Sequence, residues 1–332
     1  MSEIRYDWTV ADAKEIYQMP LLDLVYKAAT VHRKYHDPSK VQISSLLSIK
    51  TGGCKEDCSY CPQAARYHTD VDVHKTMDVV DVLVKAEAAK KSGANRMCLG
   101  AAWREVRDNS DFDKVLNMVK GINELDMEVC CTLGMLTQEQ ANKLADAGVY
   151  AYNHNIDTSE DYYGEVISTR TYDDRLNTLK SVRKAKMTIC SGGIIGMGES
   201  IEDRLKMLIT LSDINPHPES VPINTLVPVK GTPLADQGAI PFEDLLRMIA
   251  TARIMMPKSM VRLSAGRLER STFEQGFCFM AGANSIFAGD KLLTTPNPEF
   301  NQDLKMFDFF GLTAMDSIHE RRKKEEVEPV KS

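Results

Sequence analysis

Three cysteines stand close together in the first fifth of the chain, at a spacing that suits binding to one inorganic cluster. Cys54, Cys58 and Cys61 form a Cys-x-x-x-Cys-x-x-Cys run that follows Gly52 and Gly53. Three thiolates from one loop leave a four-iron cluster with one iron open to a ligand that the protein does not supply. The two glycines allow the backbone to turn tightly around the metal.

Zinc is the alternative occupant of this loop. A structural zinc site needs four ligands, and neither a second cysteine pair nor a paired histidine follows at the usual spacing. His68 and His74 are the nearest candidates, and each stands alone beyond Pro62. An iron–sulfur cluster is therefore the preferred interpretation. Tyr60 lies between the second and third thiols, where it either shields the cluster or serves as an ordinary core aromatic residue.

Composition narrows the class of protein. The chain has 332 residues, of which 43% are hydrophobic, which is enough for two domains or for one large α/β barrel of about 250 residues. Its net charge of −6 gives no indication of nucleic acid or an anionic membrane as partner. We find no signal peptide and no apolar run near the roughly 20 residues that span a bilayer. Eight cysteines then indicate metal ligands or core thiols in the reducing cytoplasm.

Short apolar segments alternate with amphipathic helices from Val41 onward, which is the pattern of a parallel sheet. The predicted strands are 41–50, 95–102, 128–133, 149–156, 187–194, 221–228, 260–265 and 284–288. The predicted helices between them are 78–92, 112–125, 138–147, 171–185, 200–213, 242–256 and 272–282. Strict alternation of eight strands predicts a complete (β/α)8 TIM barrel, with a doubly wound open sheet as the alternative.

The regions outside this alternation define the predicted domain organisation. Residues 1–40 have a helical pattern without a strand signal, which predicts an N-terminal helical extension. The barrel is expected to occupy residues 41–315. Residues 316–332 end in a mixed run of charges, which is expected to be a disordered tail.

A second set of chemically useful residues lies on the predicted strands. Cys98, the adjacent pair Cys130 and Cys131, and Cys190 lie on three strands, and Arg262 lies on a fourth. A single buried cysteine is commonly a core residue, but an arginine inside a barrel requires anions, because burying an unpaired charge is very costly. Thiolates or cluster sulfides would supply them. Because side chains alternate along a strand, only one of the adjacent cysteines faces inward, and the residues alone do not choose between them.

The three-cysteine loop resembles the cluster-binding loop of the radical S-adenosylmethionine enzymes. Longer strings, from about residue 26 to residue 310, resemble the biotin synthase family within that superfamily. They are YNHNIDT (152–158), SVPINTLVPVKGTPL (220–234), VRLSAGR (261–267) and CFMAGANSIFAGDKLLTTPNP (278–298). The resemblance implies a [4Fe–4S] cluster on Cys54, Cys58 and Cys61, S-adenosylmethionine on its open iron, and a [2Fe–2S] cluster on Cys98, Cys130, Cys190 and Arg262.

The reaction that the resemblance implies is the conversion of dethiobiotin to biotin, the last step of biotin biosynthesis, by a sulfurtransferase. Reductive cleavage of S-adenosylmethionine would give a deoxyadenosyl radical, and the [2Fe–2S] cluster would donate the sulfur. Register against the family's Thr-Leu-Gly string assigns the ligand role to Cys130, although Cys131 departs from the methionine of that pattern. Arg96 is placed to tune this cluster through hydrogen bonds. An electron donor such as flavodoxin or ferredoxin, and a homodimer, are also implied.

The remaining roles also follow from the resemblance. Asn153 and Asn224 are expected to contact the ureido ring of dethiobiotin. The expected S-adenosylmethionine contacts are Tyr60, Asn155, Asp157, Arg175, Gly192 and Gly193, with ribose hydroxyls on Asn155 and Asp157 and the methionyl carboxylate on Arg175. His154 is expected to point the opposite way from its neighbours, because side chains alternate along a strand, and to be structural.

Three other functions are weighed against this one. The first is a related radical enzyme acting on another substrate, such as a hydrogenase-cofactor or pyrrolysine-pathway relative. The second is a non-catalytic iron–sulfur carrier, and the third is a zinc-stabilised binding module. The strand-end amides and the complete set of second-cluster ligands favour the biotin synthase resemblance over all three.

We expect Cys54→Ala, Cys58→Ala or Cys61→Ala to abolish cleavage of S-adenosylmethionine, because no other cysteine is spaced to replace the missing ligand. The measurement is 5′-deoxyadenosine formed under anaerobic conditions with a reductant. Normal formation of this product by any one of the three variants would contradict the radical assignment.

Overall fold

A closed parallel barrel forms the body of the molecule. The computed structural model describes residues 4–289, 291–292, 294–296 and 300–318. Its strands are β1 (Lys40–Lys50), β2 (Arg96–Ala101), β3 (Glu128–Thr132), β4 (Ala151–Asn153), β5 (Thr188–Cys190), β6 (Gly193–Ile195), β7 (Ser220–Thr225), β8 (Met260–Leu263), β9 (Ser285–Ala288), β10 (Lys291–Leu292), β11 (Thr295–Pro296) and β12 (Thr313–Ala314). The strand order β1-β2-β3-β4-β5-β7-β8-β9 closes through parallel pairing of β9 with β1. This closure confirms the predicted (β/α)8 barrel and excludes the open sheet.

The helices surround the barrel. They are α1 (Val10–Tyr17), α2 (Leu21–Tyr35), α3 (Val79–Lys91), α4 (Ser110–Glu124), α5 (Gln138–Ala147), α6 (Glu160–Val166), α7 (Tyr172–Lys184), α8 (Ile201–Ser212), α9 (Phe242–Met255), α10 (Thr272–Met280) and α11 (Phe300–Phe310). α1 packs on α8 and α9, and α2 packs on α9. Within the described residues, no helix is both long and apolar enough to cross a membrane. The predicted domain boundaries stay a prediction, and most of the predicted tail lies outside the described residues.

Helix ends follow local chemistry. The Thr137 side chain accepts a hydrogen bond from the Gln140 backbone N–H and begins α5, and Gly148, with a φ of 99°, ends it. Both ends match the sequence prediction. The sequence prediction missed α6, a helix of only two turns that begins where the Ser159 side chain accepts from the Tyr162 backbone N–H. So short a segment has too few positions to show a helical period.

Strands 4 and 5 differ from their predicted lengths. β4 ends at Asn153, and the chain turns at Asp157, whose φ of 69° lies in the left-handed region. The predicted fifth strand divides into β5 and β6, since Ser191 and Gly192 leave the ladder between them. Gly192 instead accepts hydrogen bonds at its carbonyl from the backbone N–H groups of Ile156 and Asp157. Apolar patterning does not detect this local exchange of partners.

A fully buried arginine connects helix α9 to the starts of β8 and β9. The Arg253 guanidinium donates to the carbonyl oxygens of Pro257, Ser259 and Gly282 at 2.7–3.0 Å, and to Asn284 Oδ1 at 2.9 Å. Burial lowers the pKa of Arg253 to about 9. These carbonyl groups lie at the bottom of the barrel, so this one side chain sets the entry of the two strands that carry Arg262 and Ser285.

Two histidines of the N-terminal region lie beside this arginine. The imidazole of His32 is buried, and its ring nitrogens have no hydrogen-bond partner among the described residues. Burial, followed by the positive charge of Arg253, lowers the pKa of His32 to about 3. The same two causes lower the pKa of His36 to about 4. Both side chains are therefore neutral in the folded protein at neutral pH.

We expect acid to destabilise the cluster-free chain partly through His32. Its pKa in the folded state lies below the ordinary value of 6.5, so the stabilisation is complete above pH 6.5 and decreases as the pH falls. Between pH 6.5 and 5.5 the wild-type chain should lose about 1 kcal/mol more free energy of unfolding than His32→Leu. Urea unfolding at the two pH values measures this difference, and equal losses in both proteins would contradict it.

Candidate active site

A cavity of about 320 Å³ lies at the carboxyl ends of the barrel strands. Residues that sequence analysis placed far apart in the chain line it together. They are Cys54, Cys58, Tyr60 and Cys61 from the loop after β1, Asn153 at the end of β4, Asn155 and Asp157 after it, Arg175 on α7, and Asn224 on β7. The arrangement matches the general position of active sites in parallel barrels.

The three-cysteine loop folds back on itself at one side of the cavity. The Cys54 backbone N–H donates to the Gln63 carbonyl at 2.9 Å, and the Cys54 carbonyl accepts from the Ala65 N–H at 2.7 Å. Gly52 and Gly53, with φ values of 69° and 66°, occupy the left-handed region that glycine tolerates best. The tight turn predicted at these two glycines is therefore present.

The thiols of this loop are poorly suited to ionise unaided. Burial raises the pKa of Cys58 to about 11 and that of Cys61 to about 12, and it also raises the pKa of Cys54. A bound metal reverses this preference, because it stabilises the thiolate directly. Within the described part of the chain, no three His, Cys, Asp or Glu side chains are placed to hold a single metal ion. The fit to an iron–sulfur cluster rests on the donor set, which is three soft sulfur ligands facing one cavity.

Asp157 organises the opposite side of the cavity. Its carboxylate accepts a hydrogen bond from the Tyr60 hydroxyl at 3.0 Å and forms a buried ion pair with Arg175. The Arg175 Nε donates to the Tyr163 hydroxyl at 2.9 Å. Two residues predicted to contact the same cofactor thus contact each other, and Tyr60 reaches them from the thiol loop.

The alternation argument at strand 4 is wrong in part. Asn153, Asn155 and Asp157 all line the cavity as predicted, but only Asn153 belongs to β4. Alternation of side chains along a strand predicts that His154 points away from these three residues, but His154 lines the same cavity. Burial lowers the pKa of His154 well below its usual value, so the imidazole is neutral. The strand ends too early for alternation to separate these residues.

Gly192 and Gly193 have a packing reason to be glycine. A Cβ on Gly192 would lie 2.0 Å from the carbonyl oxygen of Pro222. The Gly192 backbone N–H donates to Asn155 Oδ1 at 3.2 Å, and the Gly193 carbonyl accepts from Asn224 Nδ2 at 2.9 Å. The glycine pair therefore holds two of the amide side chains in place. Neither glycine is among the residues that line the cavity.

A second group of thiols lies deeper in the barrel. Cys98 and Cys130 are direct neighbours in the parallel pairing of β2 and β3, and they pack with Ala151 and Phe287 in the barrel interior. Their hydrogen bond lowers the pKa of Cys98 and raises that of Cys130. Cys131 belongs instead to the large core between barrel and helices. The structure thus decides which of the adjacent thiols faces inward, and it is Cys130.

Arg262 lies in the same interior with no solvent exposure. Its guanidinium donates to Ser285 Oγ at 2.9 Å, contacts the Cys190 sulfur at 3.8 Å and lies 4.4 Å above the ring of Phe287. Within the described residues it forms no ion pair with a carboxylate. A buried charge without a counterion is very costly, so the interior is suited to an anionic group.

The other interior arginine is already neutralised. The Arg96 guanidinium donates to Glu128 Oε2 at 2.6 Å and 2.8 Å, and both side chains are buried. The second Glu128 oxygen accepts from the Ile318 backbone N–H at 2.8 Å. The sequence analysis did not identify Glu128 as a partner. Its position opposite Arg96 in the register of β2 and β3 is the signal that would have found it.

Two acidic residues inside the cysteine loop were also missed. Glu56 and Asp57 lie between Cys54 and Cys58, and both are buried. Carboxylates are rarely buried without partners. The signal available in the sequence was the presence of two acidic residues between two candidate cluster ligands, a position with limited solvent exposure.

Comparison with known proteins gives consistent matches along most of the chain. The model of the Radical SAM superfamily matches residues 48–211, and that of the Biotin and Thiamin Synthesis associated domain matches residues 222–313. A biotin synthase of Cytophaga hutchinsonii is 66% identical over 318 residues, covering 96% of this chain and 94% of its own. A biotin synthase of Christiangramia forsetii is 59% identical over 329 residues, covering 99% of this chain and 91% of its own.

The crystal structure of methylornithine synthase (PylB) shares the fold. Its TM-score is 0.79 over 95% of this chain and 96% of that chain, at 18% sequence identity. The structural similarity shows a common fold. At 18% sequence identity it gives no information about the substrate.

We expect Cys130→Ala to abolish binding of the [2Fe–2S] cluster that the family resemblance implies, and Cys131→Ala to leave that binding unchanged. Only the Cys130 thiol faces Cys98. The Cys131 thiol packs in the apolar core, so its removal should lower the free energy of unfolding by about 1 kcal/mol. Iron analysis after anaerobic reconstitution should show a loss of about two iron atoms per chain in Cys130→Ala alone. The reverse pattern would assign the ligand role to Cys131.

Proposed function

The chain belongs to the biotin synthase family of radical S-adenosylmethionine enzymes, and from this we propose how its residues divide the conversion of dethiobiotin to biotin. It is a sulfurtransferase of the last step of biotin biosynthesis. One observation supports the division of roles above all others. The cavity and the interior thiol site share three side chains, so the two sites adjoin. These side chains line the cavity and also pack with Cys98 and Cys130; they are Leu46, Phe287 and Leu292.

The upper site belongs to Cys54, Cys58 and Cys61, which would hold a [4Fe–4S] cluster. When bound and reduced, this cluster with S-adenosylmethionine supplies a 5′-deoxyadenosyl radical. The protein contributes the cavity in which the reacting groups would be held together. Tyr60, which stands between Cys58 and Cys61 in the sequence, contributes a partly buried ring, and its hydroxyl donates to Asp157 at 3.0 Å.

Asn155, Asp157 and Arg175 would hold the nucleoside and amino-acid parts of S-adenosylmethionine. The Arg175 Nε donates to the Tyr163 hydroxyl, and its Nη2 donates to the Asp157 carboxylate. The Arg175 Nη1 has no hydrogen-bond partner among the described residues. The guanidinium therefore keeps donors for a carboxylate. The Asp157 carboxylate and the Asn155 carbonyl suit ribose hydroxyls, which donate hydrogen bonds. Gly192 and Gly193, which do not line the cavity, would contribute by holding Asn155 and Asn224 in place.

Asn153 and Asn224 would recognise the ureido ring of dethiobiotin. The Asn153 Oδ1 is buried and has no hydrogen-bond partner among the described residues. An unpaired buried carbonyl is costly, and a urea N–H is a matching donor. The Asn224 side chain is held by the Gly193 carbonyl and by the Ala265 N–H, so its position is set before the substrate binds.

The interior site belongs to Cys98, Cys130, Cys190 and Arg262, which would hold a [2Fe–2S] cluster. This cluster supplies the sulfur atom that enters the product. Arg262 provides a positive charge that no described carboxylate neutralises, and its planar fork of donors suits sulfide or thiolate acceptors. Lysine would not reproduce this geometry.

The partners of the enzyme are proposals of the same kind. An electron donor such as flavodoxin or ferredoxin would reduce the upper cluster from outside the chain. The chain would act as a homodimer in the cytoplasm.

The decisive test is an anaerobic assay of the reconstituted protein with reductant, S-adenosylmethionine and dethiobiotin, followed by mass spectrometry. We expect biotin and 5′-deoxyadenosine to appear together. Deoxyadenosine without biotin would contradict the substrate or the sulfur source while keeping the radical chemistry. The absence of both products would contradict the proposed function, provided that iron analysis shows both clusters loaded.

A further inference from the structure

Two buried carboxylates inside the cysteine loop have no role in the chemistry described so far. Glu56 is 4% exposed and Asp57 is 6% exposed, and they occupy positions between the first and second thiols. Neither follows the spacing of a cluster ligand. Most of their partners belong to one segment of the chain, residues 166–170, which runs from the end of α6 towards α7.

Asp57 receives five hydrogen bonds. Its Oδ1 accepts from the backbone N–H groups of Ser168 and Thr169 at 3.0 Å and 3.2 Å, and from the Thr169 hydroxyl at 2.9 Å. Its Oδ2 accepts from the Ser168 hydroxyl and from Arg66 Nη1, the latter at 3.1 Å. A carboxylate that takes two backbone N–H groups from another loop fixes the backbone of that loop directly.

Glu56 contacts the same segment. Its carboxylate lies against the Thr169 hydroxyl, whose single proton it shares with Asp57, and its Oε1 lies 3.6 Å from Arg170 Nε and from Arg104 Nε. A backbone bond adds to these contacts, since the Ser59 N–H donates to the Val166 carbonyl at 2.9 Å. The cysteine loop is therefore joined to residues 166–170 at three positions, Glu56, Asp57 and Ser59.

The joined segment leads into the opposite wall of the cavity. Arg170 and Arg175 both line the cavity, and α7 begins at Tyr172, directly after the segment. The cysteine loop carries the thiols, and the joined segment carries Arg170 and leads to Arg175, so these contacts link two sets of residues that line the cavity. Any displacement of the cysteine loop relative to residues 166–170 would change the distance between thiols and arginines.

We propose that Glu56 and Asp57 form a clamp on Ser168, Thr169 and Arg170 that positions the cysteine loop against the arginine wall of the cavity. The clamp consists of protein groups alone, so it is formed before any cluster binds. Asp57 is its main residue, because it holds the backbone of the partner segment as well as its side chains. This role is one of positioning, and it rests on the proposed assignment of Cys54, Cys58 and Cys61 as ligands.

A clamp of this kind affects local order more than global stability. Its contacts join two loops, whereas the barrel is held by the apolar core and the strand ladder. Loops open with a lower free energy than core elements do. Weakening the clamp should therefore loosen residues 54–64 and 166–171 without loosening the strands.

The experiment compares Asp57→Asn with Asp203→Asn. The control carboxylate also accepts from a backbone N–H and two serine hydroxyls, at Ser200 and Ser159, but it begins α8 and does not line the cavity. Hydrogen exchange of the cluster-free chains should show faster exchange in residues 54–64 and 166–171 for Asp57→Asn alone. Unchanged exchange in both segments would overturn the proposal.

A second readout uses the loaded enzyme. Asp57→Asn should lower kcat/KM for S-adenosylmethionine by up to about 100-fold, since small misplacements of reacting groups are that costly. We expect most of the loss in KM, because the arginine wall is displaced from the cluster. An unchanged kcat/KM in a variant with wild-type iron content would overturn the positioning role. Failure of the wild-type chain to cleave S-adenosylmethionine would count against the proposed function, while the exchange experiment would still test the clamp.

A gentler variant covers the case in which Asp57→Asn does not fold. Ser168→Ala removes one hydroxyl donor and keeps every backbone contact of Asp57. It should produce the same pattern of local exchange with a smaller increase. A uniform increase across the whole barrel would identify the residue as a general stabilising contact and overturn the clamp.

Discussion

The positive charge of Arg262 in the interior of a closed barrel is the constraint on which the rest of the site depends. The guanidinium has no solvent exposure, and its described partners are hydroxyl, amide and thiol groups. Neutral acceptors satisfy the directions of its N–H groups but do not cancel its charge. An anionic group among the interior thiols would complete the balance. The interior therefore has the electrostatics of a binding site rather than of a core.

Three other buried arginines have their positive charge compensated by groups of the protein. Arg96 is paired with Glu128, and Arg175 is paired with Asp157. Arg253 is compensated by carbonyl dipoles at the bottom of the barrel, where burial still lowers its pKa. Each of these residues holds strands or loops in place. The contrast supports a chemical role for Arg262 and a positioning role for Arg96 and Arg253.

Much of the site could be predicted because the relevant signals are local. Strand and helix order follows from apolar period, and the cysteine loop follows from spacing, so the eight-stranded barrel was predictable. The end of β4 was not, because Asp157 leaves the strand through a left-handed backbone that pairs with Gly192. His154 therefore joined the cavity against expectation. The partners of Glu56 and Asp57 in residues 166–170 lie more than 100 residues away and have no signal in the local pattern.

The sequence by itself determined the architecture, the cysteine loop and the family, since residue types, their period and long matching strings are properties of the chain alone. Only the tertiary structure decided which of two adjacent thiols faces Cys98. It also decided that Arg175 meets Asp157 and that Arg262 lacks a carboxylate among the described residues. These outcomes depend on the register of parallel strands and on loop contacts across the barrel. Such contacts are set by packing in three dimensions, which a one-dimensional pattern does not specify.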